Sequence, residues 1–203
     1  MKTIKFYTLG CKVNQYDTQS IREQFIYLGF KELASDERAD VYVVNTCTVT
    51  HKADSESLRL IRKAKKENPH ARIIVTGCLA ELDTERIKEE GIVDLSVRNK
   101  DKARIANLFY RMFEKDKEIG QDSKNPYLGI SYFKGHTRAF LKIQDGCNNF
   151  CSYCKVPLVR GSSKSKPLEN VIKEAEKLAE AGFKEIVLTG ICLGAYGEDL
   201  KEK

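Results

Sequence analysis

The chain has 203 residues, 41% of them hydrophobic and 32% charged, with a formal net charge of +6. That is long enough for one large or two small domains around a buried core, and the composition excludes disordered and fibrous classes. The opening run from Met1 to Tyr7 has no apolar signal core and no stretch approaches the length of a membrane span, so a cytoplasmic protein with no membrane partner is expected. Seven cysteines, an odd number for a reducing compartment, read as metal ligands or reactive thiols rather than disulfides.

Strand and helix signals alternate over the first 113 residues. Ile4 to Leu9 reads as a strand ended by Gly10, followed by helical spacing with Ile21, Phe25 and Leu28 on one face and Gly29 as the stop. Asp40 to Asn45 is a buried strand, and a helix from about Asp54 presents Leu58 and Ile61 before Pro69. Arg72 to Thr76 is the next strand, closed by Gly77. A short capped helix near Asp83-Thr84, a strand at Asp94 to Val97 and a helix carrying Ile105, Leu108, Phe109 and Met112 complete an open α/β domain with helices on both faces.

Cys11, Cys47 and Cys78 each fall one or two residues past one of these strands, beside a Gly or a Thr. In an open parallel sheet the carboxyl ends of the strands share the edge where ligands bind, so three thiols distant in sequence converge. The plain alternative is a small buried apolar residue at each place. The repeated placement favours instead a three-thiolate iron–sulfur site.

Residues 114–135 show no clear period, contain Gly120, Asn125-Pro126 and Gly129, and read as a linker. Arg138 to Ile143 is a strand. It leads into Cys147-Asn148-Asn149-Phe150-Cys151-Ser152-Tyr153-Cys154, with no fourth cysteine close behind. Three thiolates cannot close a structural zinc site, which wants four protein ligands. They can hold three irons of a cubane cluster and leave the fourth open. A disulfide pair with a spare, a zinc knuckle with a remote last ligand and a ferredoxin loop spaced C-x-x-C-x-x-C all fit less well. A helix opened by Ser165-Lys166-Pro167 follows, with Val171, Ile172, Ala175, Leu178 and Ala179 facing inward, then a strand from Glu185 to Thr189 ending at Gly190. The whole is a βαβ unit.

Charge is concentrated around the cysteine loop. Between Phe133 and Lys166 stand Lys134, Arg138, Lys142, Lys155, Arg160, Lys164 and Lys166 against Asp145 alone, and charges elsewhere cancel. Such a patch favours an anionic partner, whether cofactor, phosphate or nucleic acid, over a plain solvated face.

The C-x-x-x-C-x-x-C spacing, with an aromatic before its last cysteine, resembles the signature of radical S-adenosylmethionine enzymes. Thr8-Leu9-Gly10-Cys11-Lys12-Val13-Asn14, Val44-Asn45-Thr46-Cys47-Thr48-Val49-Thr50 and Val75-Thr76-Gly77-Cys78 are similar to the amino-terminal domain of the radical-SAM methylthiotransferases. The run from His136 to Cys147 resembles the entry to their radical domain. Lys12-Val13-Asn14 and Leu188-Thr189-Gly190 are most similar to the bacterial branch that thiomethylates threonylcarbamoyladenosine in tRNA. The resemblance runs from Thr3 to Asp199.

It implies an amino-terminal iron–sulfur domain over 1–113, the linker 114–135, and over 136–203 the start of a radical-SAM core whose barrel is incomplete. The family carries further βα units and a small RNA-binding domain beyond, so a truncated chain is expected. It further implies two 4Fe-4S clusters, S-adenosylmethionine, a tRNA substrate that receives a methylthio group at carbon 2 of threonylcarbamoyladenosine next to the anticodon, an electron donor and a sulfur source. Cys147, Cys151 and Cys154 would hold the cluster that cleaves S-adenosylmethionine, with Tyr153 against the adenine. Cys11, Cys47 and Cys78 would hold the cluster that supplies sulfur.

Thr189 and Gly190 end a strand beside the expected cofactor. Lys142 and Arg160 flank the loop and would meet the cofactor carboxylate or RNA phosphate, with surface charge as an equal alternative. Cys192 reads as incidental, and His51, His70 and His136 share no spacing. The alternatives are a radical-SAM enzyme of another reaction type and an iron–sulfur or zinc-binding module without catalysis.

Overall fold

The computed structural model describes residues 1–34, 36–113 and 129–200. Its first unit runs β1 (Thr3–Thr8), α1 (Lys12–Tyr27), β2 (Lys31–Glu32), β3 (Val41–Thr46), α2 (His51–Glu67), β4 (Arg72–Gly77), α3 (Cys78–Leu82), α4 (Thr84–Glu89), β5 (Leu95–Val97) and α5 (Ile105–Phe113). The five strands form one parallel sheet in the order β2-β1-β3-β4-β5, with Ile4 beside Val41 and Val41 beside Arg72. Side chains alternate between faces. Tyr42, Val44, Ile73 and Val75 pack with Leu58, Ile61, Leu79 and Ile87 of α2, α3 and α4. Ile4, Val41, Val43 and Ile74 pack with Ile21, Phe25, Ile105 and Phe109 of α1 and α5. Cover on both faces is why β3 is buried along its whole length.

Local chemistry shifts several boundaries from those expected. α2 begins at His51 rather than near Asp54, because Thr50 caps it by accepting a hydrogen bond from the Ala53 amide at 3.1 Å. Asp83 caps α4 in the same way through the Arg86 amide. Met112, one of the apolar residues that marked this helix, is 53% exposed, while Tyr110 turns in and donates to the Leu28 carbonyl.

The second unit continues with β6 (Ala139–Lys142), β7 (Gln144–Asp145), α6 (Val156–Arg160), β8 (Lys164–Ser165), α7 (Leu168–Glu180) and β9 (Ile186–Thr189). β6 and β9 pair in parallel, Ala139 beside Ile186 and Lys142 beside Thr189, with α7 in the crossover, so the expected βαβ unit is present. β7 and β8 add an antiparallel pair not foreseen in the sequence. On α7, Val171 and Leu178 are buried, but Ile172 is 49% exposed and Ala179 is exposed as well. The buried stripe runs through Glu174 instead. Of the expected linker, 114–128 lie outside the described residues. The remainder is packed: Ile130 and Phe133 enter the core of the second unit.

α1 is the wall the two units share. Ile21 and Phe25 face the sheet, while Tyr16 joins Ala139, Leu141 and Leu178 in the other core. With both sides covered, Asn14, Asp17, Thr18, Gln19 and Ser20 are buried too, and each polar group needs a partner. Among the described residues no helix is long and apolar enough to cross a membrane.

Candidate functional site

β1, β3 and β4 end side by side, and a cysteine follows each: Cys11 before α1, Cys47 after β3, Cys78 at the first position of α3. Cys11 is exposed and the other two are buried. The turns demand glycine. Gly77 has φ +100°, and a Cβ there would stand 2.3 Å from the Thr46 carbonyl oxygen. A Cβ on Gly10 would stand 3.0 Å from Cys47 Sγ, so Gly10 keeps the space beside that sulfur open.

Polar side chains lock these ends together. Asn14 Nδ2 donates to the carbonyls of Leu9 (2.7 Å) and Thr46 (2.9 Å), tying β1 to β3. Asn45 Nδ2 donates to Asn14 O (2.9 Å) and Thr18 Oγ1 (3.0 Å). Ser57 Oγ donates to the Cys47 carbonyl (2.9 Å) and accepts from the Cys47 amide (3.2 Å).

Cys147, Cys151 and Cys154 lie in the irregular segment between β7 and α6. The Cys147 amide donates to Gly161 O at 3.1 Å, and the Cys154 amide to Cys151 O at 2.9 Å. Gly146 is forced, since a Cβ there would stand 2.1 Å from Ser162 O. Tyr153, expected against an adenine, stands 88% exposed beside the thiols.

Gln144, which the sequence did not single out, organises the loop. Its Nε2 donates to Asp145 O, Gly146 O and Ser163 Oγ, and its Oε1 accepts from the amides of Ile191 and Cys192. A Cβ on Gly190 would lie 2.9 Å from Gln144 Oε1. The room left by Gly190 is therefore filled by Gln144. Thr189 is buried, and its carbonyl accepts from the Ile143 amide at 3.0 Å.

Lys142 and Arg160 are not surface charges, contrary to one expectation for them. The Arg160 side chain is 2% exposed. Its Nη1 donates to both oxygens of Asp145 (2.8 and 3.0 Å) and lies 3.5 Å from Asp17, and its Nη2 donates to Asn14 Oδ1. Lys142 bonds Asp17 and Asp145, and Lys102 bonds Asp17 at 2.9 Å. Burial alone would raise the Asp17 carboxyl, but Lys102, Lys142 and Arg160 hold it well below the usual range. Asp145 is lowered against burial by Lys142 and Arg160.

Other cations of the expected patch are matched in the same way. Lys134 pairs with Glu32, Arg138 with Glu185, Lys155 with Asp54 and Lys166 with Glu174. Most partners come from distant sequence, so the charge clustered along the chain is largely paired, although Lys134 and Arg138 stay about half exposed.

Arg160 also links the two groups of cysteines. It ends the helix after Cys154, bonds the side chain three residues past Cys11, and faces the Cys78 thiol. Burial pushes that thiol up, and the guanidinium opposes the rise. All seven cysteines are free. Among the described residues no three His, Cys, Asp or Glu side chains stand close enough to share a single metal ion. A cubane takes each thiolate on a different iron, so its ligands need not meet at a point. Each group offers three cysteines, the number that holds a cubane with one iron open and one fewer than a structural zinc site takes.

Residues 3–98 match the uncharacterized protein family UPF0004, and residues 141–198 match the radical SAM superfamily, whose members use a 4Fe-4S cluster and S-adenosylmethionine. The chain is 43% identical over 208 aligned residues to the threonylcarbamoyladenosine tRNA methylthiotransferase MtaB of Bacillus subtilis, covering 100% of this chain and 46% of that protein. It is 38% identical to the protein of the same name from Aquifex aeolicus (97% and 49% covered). A tRNA-2-methylthio-N(6)-dimethylallyladenosine synthase of Natranaerobius thermophilus is 33% identical (98% and 47%). The chain thus spans about half the length of the curated relatives it matches. With a cysteine after each of three adjacent strands and a second group in the loop after β7, the chain matches UPF0004 in its first unit and the radical SAM superfamily in its second, and along nearly its whole length it is similar to the amino-terminal half of tRNA methylthiotransferases.

Proposed function

We propose that this chain carries the cluster-bearing part of a tRNA methylthiotransferase acting on threonylcarbamoyladenosine at carbon 2. The observation that carries the reading is the seam itself: α6 packs against α3, so the helix after the second cysteine group lies against the helix opened by Cys78. Two thiol groups joined at one buried junction suit a reaction that needs a radical source and a sulfur source within reach of one carbon.

Cys147, Cys151 and Cys154 would hold one 4Fe-4S cluster and Cys11, Cys47 and Cys78 a second; bound there with S-adenosylmethionine, they supply hydrogen abstraction and sulfur for transfer. The protein's own part is placement. Asn14 and Gly10 hold the strand ends so that Cys47 and Cys78 stay buried, and Gln144 fixes the entry and exit of the radical loop. On this reading Tyr153 would meet a bound cofactor, while Thr189, which is buried, and Gly190, whose open side Gln144 fills, would shape the strand end beside it. On this reading, residues 1–113 form the sulfur-supplying domain and 136–203 the opening of the radical domain. The tRNA, electron donor and sulfur source are its partners.

Anaerobic reconstitution with iron and sulfide tests the proposal. About eight irons per chain are expected, with one paramagnetic signal shifted by S-adenosylmethionine. Cys78→Ala should remove about half the iron and keep the cofactor-sensitive signal, and Cys147→Ala should do the reverse. Tightly held zinc without iron would overturn the reading.

A further inference from the structure

Arg160 is the last residue of α6, and its side chain is buried. The N–H groups of a guanidinium are more than one carboxylate can use. Here Nη1 serves Asp145, two residues before Cys147, and Nη2 serves Asn14, three residues past Cys11. The packing of α6 against α3 then sets the guanidinium against the first residue of α3, where it hydrogen-bonds the Cys78 sulfur. Lys102, which bonds Asp17 at 2.9 Å, adds to the positive field at that sulfur. A guanidinium does not lose its proton in a protein, and anchors on both units hold this one in a single orientation. Tying the units together needs only Asp145 and Asn14. The contact with a cysteine sulfur is a separate feature of the same side chain.

Adding one electron to an iron–sulfur cluster spreads negative charge onto its thiolate sulfurs, and the potential follows the hydrogen bonds and charges around them. A fixed cation touching one of those sulfurs, in surroundings that screen poorly, favours the reduced form. We infer that Arg160 is a positioning residue that raises the reduction potential of the cluster proposed on Cys11, Cys47 and Cys78, acting through the Cys78 sulfur, with Asp145 as the counter-charge that moderates it. The inference rests on the two-cluster reading above and goes beyond it by naming what tunes the second cluster.

The test uses the purified, reconstituted chain in a Cys147→Ala background, so that the cluster read is the one on Cys11, Cys47 and Cys78. Its paramagnetic signal is followed through a dithionite titration with redox mediators; dithionite supplies the electron, and no protein bond forms or breaks. Arg160→Gln should shift the potential to a more negative value, and Arg160→Lys, which keeps the charge, should recover part of the shift. Asp145→Asn should shift it the opposite way, because it removes the carboxylate that offsets the guanidinium. Arg160→Gln and Asp145→Asn break the same ion pair, so a merely structural role for Arg160 would move both potentials in the same direction. Arg138→Gln, whose partner is the exposed Glu185, should change nothing. Should Arg160→Gln fail to fold by circular dichroism, Arg160→Lys and Asp145→Asn carry the test with the same opposed signs. If the Cys147→Ala chain takes up no iron, the two-cluster reading falls and the inference with it. If it holds about four irons, and the Arg160 variants match the parent or move with Asp145→Asn, the inference alone is overturned.

Discussion

Asp17 sits fully buried on α1, one carboxylate bounded by Lys102, Lys142 and Arg160. Neutralising it leaves these cations with Asp145 alone. Asp17→Asn should cost about 3–5 kcal/mol, read from urea denaturation, because removing one partner strands buried charge. The pH dependence follows from the same pairing. Asp17 and Asp145 have folded pKa values below their unfolded ones, so their stabilisation is complete above the unfolded carboxylate range and is lost as pH falls through the folded values. The midpoint of urea unfolding should therefore decline steadily from pH 5 downward, and Asp17→Asn should flatten that decline. The six cysteines proposed as cluster ligands could be picked out by spacing and by place after a strand. Asp17 could not, since its partners lie 85 and 125 positions away.

The strands of the first unit were legible because buried parallel strands read as apolar runs and glycines mark their ends. Less legible were elements whose boundaries depend on a hydrogen bond or a crowded turn. Gly77 announced the end of β4, but not that α3 starts at once, with Cys78 as its first residue. Gly77→Ala should destabilise by roughly 3 kcal/mol or more in thermal or urea unfolding, since the added methyl meets the Thr46 backbone in a left-handed conformation. Gly91→Ala has a positive φ but open space around it, and should cost clearly less. On α7 an apolar stripe was expected through Ile172 and Ala179, yet the helix turns Glu174 inward. Tyr16 and Lys166 both bond that carboxylate and the Ile130 amide donates to it, so a charged residue takes a core position.

The two units meet through α1, through the Asp17 cluster and through Tyr16 with Glu174 and Lys166. An interface this buried couples their unfolding. Circular dichroism and thiol accessibility of Cys47 should follow one transition. Tyr16→Phe removes a buried hydroxyl from two partners and should lower that single transition by about 1–3 kcal/mol rather than split it. The linear reading anticipated two compact parts joined by a spacer, and each part has the expected secondary structure. That α1 would serve both was not visible, because periodicity names a helix's faces and says nothing of how many neighbours will claim them.

The double allegiance of α1 bears on how such a molecule can be rebuilt. A chimera that takes one half from this chain and the other from a relative inherits half of a matched set: Tyr16 and Asp17 on one side, Lys142, Lys166 and Glu174 on the other. Grafts that carry the whole set should assemble, and grafts that divide it should expose mismatched charge in the middle of the molecule, so the junction for recombination lies in the residues α1 touches and not in the spacer between the halves.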